Sequence, residues 1–579
     1  MRLPRVAPPR IRRWLARPPA ITALVIYLIA SLLMFGGPLF HPGANGCICL
    51  GTDEGIFAWA MAWWPHALLH GLNPFYSHII YAPQGFDIAL GALVPGAALI
   101  LAPVTAIAGP LFSYNLAMLL SPVLAAFFAF LLCRRLTGAF WPSLFGGWLF
   151  GFSTYMLGQL MGHLQMTLVF LVPAIVHLVL RSVAGEIGRR LFVVAMAVAL
   201  TLQFSFSAEV FVTLTLFGAV ALAAALVLLD TDQRTRLRGV LRPIGLSYLA
   251  TAVIVSPYLY YASKPGGLPV LLWRTDHFSS DLLSFFIPTP VTKLAGLHFL
   301  STSNTFGAGT TEGGAYLGPP LIVMLLLATR RWWRRAEVRV MLVTLIVVLV
   351  CSLGGQLQVR GKYTIPLPWA VMHRLPVFGL ALPSRFVVYV FLIVSILAAM
   401  WLSAARTRTA AWGLAALSVV FLWPAVGRGF WNGTPDLPKL FTAAAYRHAI
   451  GPHDTALLLP VGGSGYSMLW QAEDDLRFTM ASGYVVPPEA TDPYKSDPIY
   501  PTLIAGASVP DEQAAAESFL RSHHVTVAVI DPSELAGQPW IPLLERLRWV
   551  AKTEGGAVVL RPRVAGPYQA ASSRSRRKP

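Results

Sequence analysis

Apolar residues in this chain run in long blocks with almost no charge. Ala20–Leu39, Leu111–Cys133, Leu191–Leu229, Leu246–Tyr261, Val340–Leu353 and Phe386–Leu402 are the clearest. A helix needs roughly 20 such residues to cross the hydrocarbon of a bilayer. The pattern therefore predicts a mainly α, polytopic helical membrane protein. The blocks are separated by short basic clusters: Arg10, Arg12 and Arg13; Arg134 and Arg135; Arg189 and Arg190; Arg234, Arg236 and Arg238; Arg330, Arg331, Arg334 and Arg335; Arg406 and Arg408. Basic residues stay on the cytoplasmic side. With the N-terminus inside, the clusters fall inside on every pass only if one of the two stretches 90–108 and 111–133 crosses. The first carries Pro95, Gly96, Pro103 and Gly109, so it reads as re-entrant or juxtamembrane, and the second as the span. The remaining spans are expected near 141–157, 164–180, 191–203, 209–229, 243–261, 317–328, 340–353, 386–401 and 412–426. The total, with 20–35, is about eleven.

This topology divides the chain into a basic cytoplasmic tail (1–19), a transmembrane region (20–428) with outer loops at about 38–88 and 263–316, an outer domain (429–565) and a polar tail (566–579) expected to be disordered. The outer domain reads as a small α/β fold. Thr455–Pro460 and Val525–Ile530 look like buried strands, Asp511–His523 like a helix, and Trp549–Leu560 like a hairpin. The first helix follows a basic stretch but lacks a small-residue cleavage site, so it reads as a retained anchor.

Composition agrees. The 579 residues are 56% hydrophobic and only 12% charged, with a mean hydropathy of +0.62. Soluble domains carry about 25% charged residues. The net charge of +18 is accounted for by the interhelical clusters, with membrane lipid headgroups rather than nucleic acid as their partner. High Ala, Arg and Pro content suggests a bacterium, and the expected location is its inner (cytoplasmic) membrane. Cys47 and Cys49 sit one residue apart, a spacing poor for bridging each other, and two ligands alone make no zinc site. There is no phosphate-binding P-loop, GxGxxG, HExxH or GxSxG motif.

Candidate chemistry lies outside the spans. The first outer loop reads GTDEGIFAWAMAWWPHALLH from Gly51. Asp53 and Glu54 precede an aromatic helix whose Ile56, Phe57, Trp59, Trp63 and Trp64 would form a broad apolar surface lying on the membrane. Acids are favoured at a helix start by its dipole, so Asp53 is equally readable as a helix cap, with Thr52 as the alternative cap. Asp87 ends the same loop and His163 follows the third span. Glu209 stands alone in an apolar block, either functional or at the interface. The second outer loop holds Arg274, Asp281 and Glu312. Arg385 opens a helix near the outer face against the basic-inside trend. It would hold a lipid phosphate or pair with a nearby acid. The outer aromatics Trp59, Trp63, Trp64, Phe75, Tyr76 and Tyr81 fit either sugar stacking or an interfacial belt.

This layout resembles the GT-C superfamily of polytopic glycosyltransferases: one span, an outer loop opening with acids ahead of a membrane-lying helix, then a multi-span module and a second large outer loop. The strings YAPQGF, GPLFSYN, DLLSFFIP and PSRF resemble those of bacterial membrane proteins described as glycosyltransferases, although Glu54 stands where a proline is expected. The likeness covers about residues 20–430. It implies a polyprenyl-phosphate-linked sugar donor and an envelope glycan, lipid or protein acceptor outside the cytoplasm. By that resemblance Asp53 is the base for the acceptor hydroxyl, and Glu54 supports it or helps to bind a divalent metal such as Mg or Mn. Arg385 and Arg274 would meet the donor phosphate, and Asp87, His163 and Glu312 would orient the sugar. Two other readings stay open. In one, a lipid or polysaccharide transporter or flippase has Glu209 and the outer acids along its path. In the other, a non-catalytic envelope scaffold has dispensable acids.

Overall fold

The apolar blocks become helices, the 191–229 block as two that part at Ser207. In the computed structural model, which describes residues 18–40, 46–91, 93–264, 275–295, 298–375, 378–405, 407–442, 446–485 and 493–563, six helices have the length and apolar character to cross a bilayer: Pro110–Thr137, Leu164–Val183, Arg189–Phe206, Ala208–Leu228, Thr231–Ala262 and Pro383–Ser403. Ala20–Phe35 and Arg408–Phe421 are apolar but shorter, as are Pro319–Trp332 and Ala336–Ser352. The stretch at 90–108 forms two helices of six and seven residues, Pro95–Ile100 and Ala102–Ala108. At 1.5 Å per residue neither can cross, so the crossing helix there is Pro110–Thr137. The expected span at 141–157 is broken: Phe140–Gly151 stops and Ser153 starts a second helix, its hydroxyl accepting from the Met156 amide at 3.3 Å. That cap lies inside an apolar run, where hydropathy alone does not register it.

Two units emerge, and neither is continuous in sequence. The first comprises residues 1–50, 115–259 and 273–433, and the second 51–114, 260–272 and 434–579. Residues 1–17 of the basic tail expected at 1–19, the polar tail expected at 566–579, Arg274 and Arg406 lie outside the described residues.

In the first unit Val387–Ser403 is buried along nearly its whole length. It packs against Phe140–Gly151, whose glycines allow the close approach. A Cβ at Gly146 would meet Cys133 Sγ at 2.7 Å and Ala399 Cβ at 3.1 Å, and one at Gly151 would lie 2.5 Å from the Ala126 backbone nitrogen. At the other end of Pro110–Thr137, the last-turn Arg135 grips Glu186 through two bonds of 2.9 and 2.6 Å, a cation where the helix dipole favours one. Cys47 and Cys49 are joined as a disulfide, which corrects the expectation drawn from their spacing.

The second unit carries a five-stranded sheet. Thr455–Leu459 is flanked in parallel by Thr479–Met480 and Val527–Ile530; the latter pairs antiparallel with Ala557–Pro562, which forms a hairpin with Trp549–Glu554. The hairpin turns on Gly555 and Gly556, both at positive φ, as a tight two-residue turn requires. All four residues of Val527–Ile530 are buried, as expected for a strand covered on both faces. The helix Glu512–Ser522 lies where the sequence places it.

Helix Glu54–Leu69 belongs to this unit, and here the expectation of a membrane-lying helix is overturned. Trp59, Trp63 and Trp64 are buried in protein, and the helix packs on Ser467–Glu473 and Pro95–Ile100. Trp59 Nε1 donates to Gln471 Oε1 at 2.7 Å, and Gln471 Nε2 donates to the carbonyls of Ile79 and Phe478 at 2.9 and 2.8 Å. The indoles of Trp63 and Trp64 donate to the Pro74 and Leu93 carbonyls. A helix apolar on all sides belongs in an interior. The exposed apolar residues nearby are Leu68 and Leu69 at the end of this helix, Leu72 after it, and Leu99, Ile100 and Ile107 on the two short helices.

Gly151→Ala tests the close helix packing. Overpacking such a contact costs about 1–3 kcal/mol, so the purified variant in detergent should melt lower than wild type. An unchanged melting temperature would contradict the packing described.

Candidate functional site

Asp53 and Glu54 lie where the chain enters Glu54–Leu69. Asp53 is the residue before the helix, yet its side chain makes no capping bond and its backbone is already helical. The carboxylate turns elsewhere: Tyr484 donates to Asp53 Oδ1 at 3.0 Å. Two neighbouring residues are tied to the glycine-rich turn that follows strand Thr455–Leu459. Thr52 Oγ1 donates to the Gly463 carbonyl at 2.7 Å, and Tyr466 Oη donates to the Gly51 carbonyl at 3.2 Å. The acidic turn is thus held by residues from the far end of the sequence.

Glu54 is fully buried and neither of its carboxylate oxygens has a hydrogen-bond partner. Burial pushes this carboxyl up to about 8, and the neighbouring Asp53 charge adds to the rise. An orphaned, buried carboxylate is costly unless it is neutralised by a proton or a cation. Taken by itself, neither unit brings three His, Cys, Asp or Glu ligands together among the described residues. Magnesium-like ions, however, are commonly held by one or two carboxylates with water and substrate phosphate completing the shell. Asp53 and Glu54 fit that donor set.

A second constellation forms in the first unit from four residues singled out in the sequence. Arg385 lies between two glutamates. Its Nη1 donates to Glu209 Oε2 at 2.6 Å, and its Nε and Nη2 both donate to Glu312 Oε1, at 3.0 and 2.6 Å. Glu209 Oε1 accepts from the Leu382 amide at 3.1 Å. Glu312 Oε2 accepts from Gln159 Nε2 at 2.9 Å, while His163 Nδ1 lies 3.0 Å from Gln159 Oε1 and 3.3 Å from Glu312 Oε1. Of the two roles the sequence offered for Arg385, the geometry presents the ion pair. Two carboxylates and one guanidinium leave one net negative charge on these three side chains. Burial alone would raise the Glu312 carboxyl; the Arg385 charge, then His163 and Gln159, outweigh it and hold it down at about 2.

The other candidates do not join either group. Asp281 is buried and structural in its contacts, accepting from the Leu283 and Gly361 amides at 2.9 Å each. Asp87 starts a short 3-10 turn and accepts from the Ala89 amide. Arg274 falls outside the described residues. Residues that the sequence reading passed over include Gln159, Gln471 and Tyr484. The run Gly462-Gly463-Ser464-Gly465 after an apolar strand was a legible turn signal. Nothing local marks Tyr484.

The family model described as "Domain of unknown function (DUF6311)" matches residues 24–424. No curated protein matches the chain. Among solved structures, the oligosaccharyltransferase of Archaeoglobus fulgidus in its apo form superposes with a TM-score of 0.53 at 12% identity, over 93% of this chain and 73% of that one. The same enzyme tethered to an acceptor peptide containing the NVT sequon gives 0.52 at 12% identity, over 95% and 75%. The mycobacterial arabinofuranosyltransferase AftD gives 0.52 at 16% identity, over 90% of this chain and 37% of that one. At such identities the likeness establishes the fold. The chain is a helical membrane protein that shares the fold of the oligosaccharyltransferase.

Two substitutions probe the charges. Arg385→Gln leaves the buried Glu312 and the partly buried Glu209 without their cation and should cost about 3–5 kcal/mol, read as a large drop in melting temperature in detergent. The Glu312 contribution is fully present above the ordinary carboxyl range and is lost as pH falls towards about 2, so Glu312→Gln should flatten the acid side of the stability profile. Glu54 has the opposite sign. Its neutral form is favoured, so without a bound cation stability falls as pH rises from the ordinary carboxyl range through about 8. In a chelator-containing buffer Glu54→Gln should remove that decline; an identical slope in both proteins would refute the burial of an unpaired Glu54.

Proposed function

The chain belongs to the DUF6311 family, and from that premise we propose that it is a membrane glycosyltransferase moving a sugar from a polyprenyl-phosphate donor to an envelope acceptor outside the cytoplasm. The observation that carries this reading is the GT-C fold shared with the oligosaccharyltransferase over 93% of the chain, combined with an Asp53-Glu54 pair at the start of a helix and a held Asp53 carboxylate.

The reaction is a single displacement. The acceptor hydroxyl attacks the anomeric carbon of the sugar, a C–O bond forms, and the bond from that carbon to the phosphate oxygen breaks with inversion. Polyprenyl phosphate leaves with the bonding electron pair. Asp53 takes the hydroxyl proton, a role open to a carboxylate placed against the nucleophile. A divalent metal such as Mg or Mn, when bound, would offset the charge developing on the leaving phosphate; Glu54 and Asp53 are the residues that would hold it. Glu54, whose neutral form burial favours, would be held ionised by such a cation. The pair that Arg385 makes with Glu209 and Glu312 serves to fix the start of helix Val387–Ser403, and His163 and Glu312 remain the proposed contacts for polar groups of the sugar. The proposed orientation, inner membrane with the N-terminus in the cytoplasm and residues 429–565 outside, follows from the placement of the basic clusters.

Transport is the second reading. It would require ionisable groups distributed through the spans, whereas away from the basic helix ends the described ones are few: His177, and Glu209 paired with Arg385.

Asp53→Asn, expressed at wild-type level in the host from which the gene comes, should abolish one envelope glycan and lead to accumulation of its lipid-linked donor sugar. An unchanged glycan profile with an unchanged donor pool would remove Asp53 from the chemistry.

A further inference from the structure

We infer that the C-terminal α/β segment is part of the catalytic apparatus, with Tyr484 as the positioning residue for the base Asp53; this rests on the glycosyltransferase reading above. Three bonds carry it, and all three join residues 51–53 to the stretch 463–484. The Tyr484 phenol donates to Asp53 Oδ1 at 3.0 Å, Thr52 Oγ1 donates to the Gly463 carbonyl at 2.7 Å, and the Tyr466 phenol donates to the Gly51 carbonyl at 3.2 Å. The partners are separated by more than 400 residues of sequence in each case. Nothing local requires the Tyr484 bond. The side chain of a residue in the position of Asp53 ordinarily bonds the first-turn amides of its helix, and here it makes no such bond.

Gly463 sets the distance. A Cβ at this position would lie 3.0 Å from Tyr484 Cζ and 3.1 Å from its Oη, so the glycine lets the phenol lie against the turn. Tyr484 therefore has two constraints, a turn behind the ring and a carboxylate in front of the hydroxyl. A hydrogen bond to one oxygen fixes the rotation of a carboxylate about its χ2, which is otherwise broad. A base held in one orientation meets its proton without a search, and small displacements of such groups cost large factors in rate. The sheet whose strand Thr455–Leu459 feeds the 462–466 turn then serves to hold Asp53 rather than only to cover the outer face.

The test uses the full-length protein reconstituted in lipid. Its substrates are the radiolabelled pool of polyprenyl-phosphate sugars extracted from a strain lacking the gene and envelope fragments from that strain as acceptor. Tyr484→Phe keeps the ring and removes the donor. It should lower kcat about tenfold, a plausible loss for a misoriented catalytic group, while KM for the lipid-linked donor and the melting temperature stay at wild-type values. In an Asp53→Asn background, Tyr484→Phe should have no further effect on residual transfer, because both changes act on one group. Gly463→Val, which pushes on the Tyr484 ring without touching Asp53, should lower kcat in the same direction. If Asp53→Asn is inactive but Tyr484→Phe retains wild-type kcat, the positioning role is overturned and the glycosyltransferase reading stands. If Asp53→Asn transfers as well as wild type, the assignment of Asp53 falls, and the role of Tyr484 with it.

Discussion

A single phenol–carboxylate bond sets the character of this molecule. Tyr484 holds Asp53 from a position 431 residues later in the chain, four residues beyond the sheet strand Thr479–Met480. The parallel strands Thr455–Leu459 and Val527–Ile530 place the glycine-rich turn, and the turn anchors Thr52 and Gly51. Helix Glu54–Leu69 is anchored in turn through Trp59 to Gln471. An acidic turn on a surface loop would sample many arrangements. Here each residue from Gly51 to Asp53 is bonded to a residue between 463 and 484, and held charged groups can act with less reorganisation.

Electrostatics impose the other constraint. An apolar membrane protein can carry buried charge only where it is compensated, and each unit meets this differently. In the first, Arg385 is shared by Glu209 and Glu312, with Gln159 and His163 completing the acceptors and donors around Glu312. In the second, Glu54 is buried with no partner, and its carboxyl is driven up to about 8. The contrast separates a set of charges that compensate one another from an acid whose charge state depends on what binds beside it.

Much of this was legible in the sequence because lipid imposes a coarse, long-range signal. The charge-free blocks and the basic clusters between them place the long helices, and the two short apolar runs of 90–108 could be set aside from their prolines and glycines. Arg385 was conspicuous because a cation near the outer face needs a reason, and Glu209 because an acid in an apolar block does; that the two face one another needed coordinates. Finer features were hidden for identifiable reasons. An all-round apolar helix such as Glu54–Leu69 fits a bilayer surface and a protein interior equally well, and only the packing of Trp59 and Trp63 decides between them. The break at Ser153 is a single hydroxyl inside an apolar run. The disulfide between Cys47 and Cys49 depends on a local backbone shape that spacing does not convey. Tyr484 has no neighbour in sequence that points towards Asp53.

Whether the lipid-linked sugar is cleaved or merely moved is the question on which the account turns. The direct measurement follows purified protein in sealed vesicles with radiolabelled polyprenyl-phosphate sugar from the gene-deleted host and envelope acceptor. Label and lipid are quantified separately. Glycosyl transfer predicts that sugar label enters the acceptor while an equal amount of free polyprenyl phosphate appears. Intact donor recovered on the opposite side of the vesicle, with no free polyprenyl phosphate formed, would contradict it and establish transport instead.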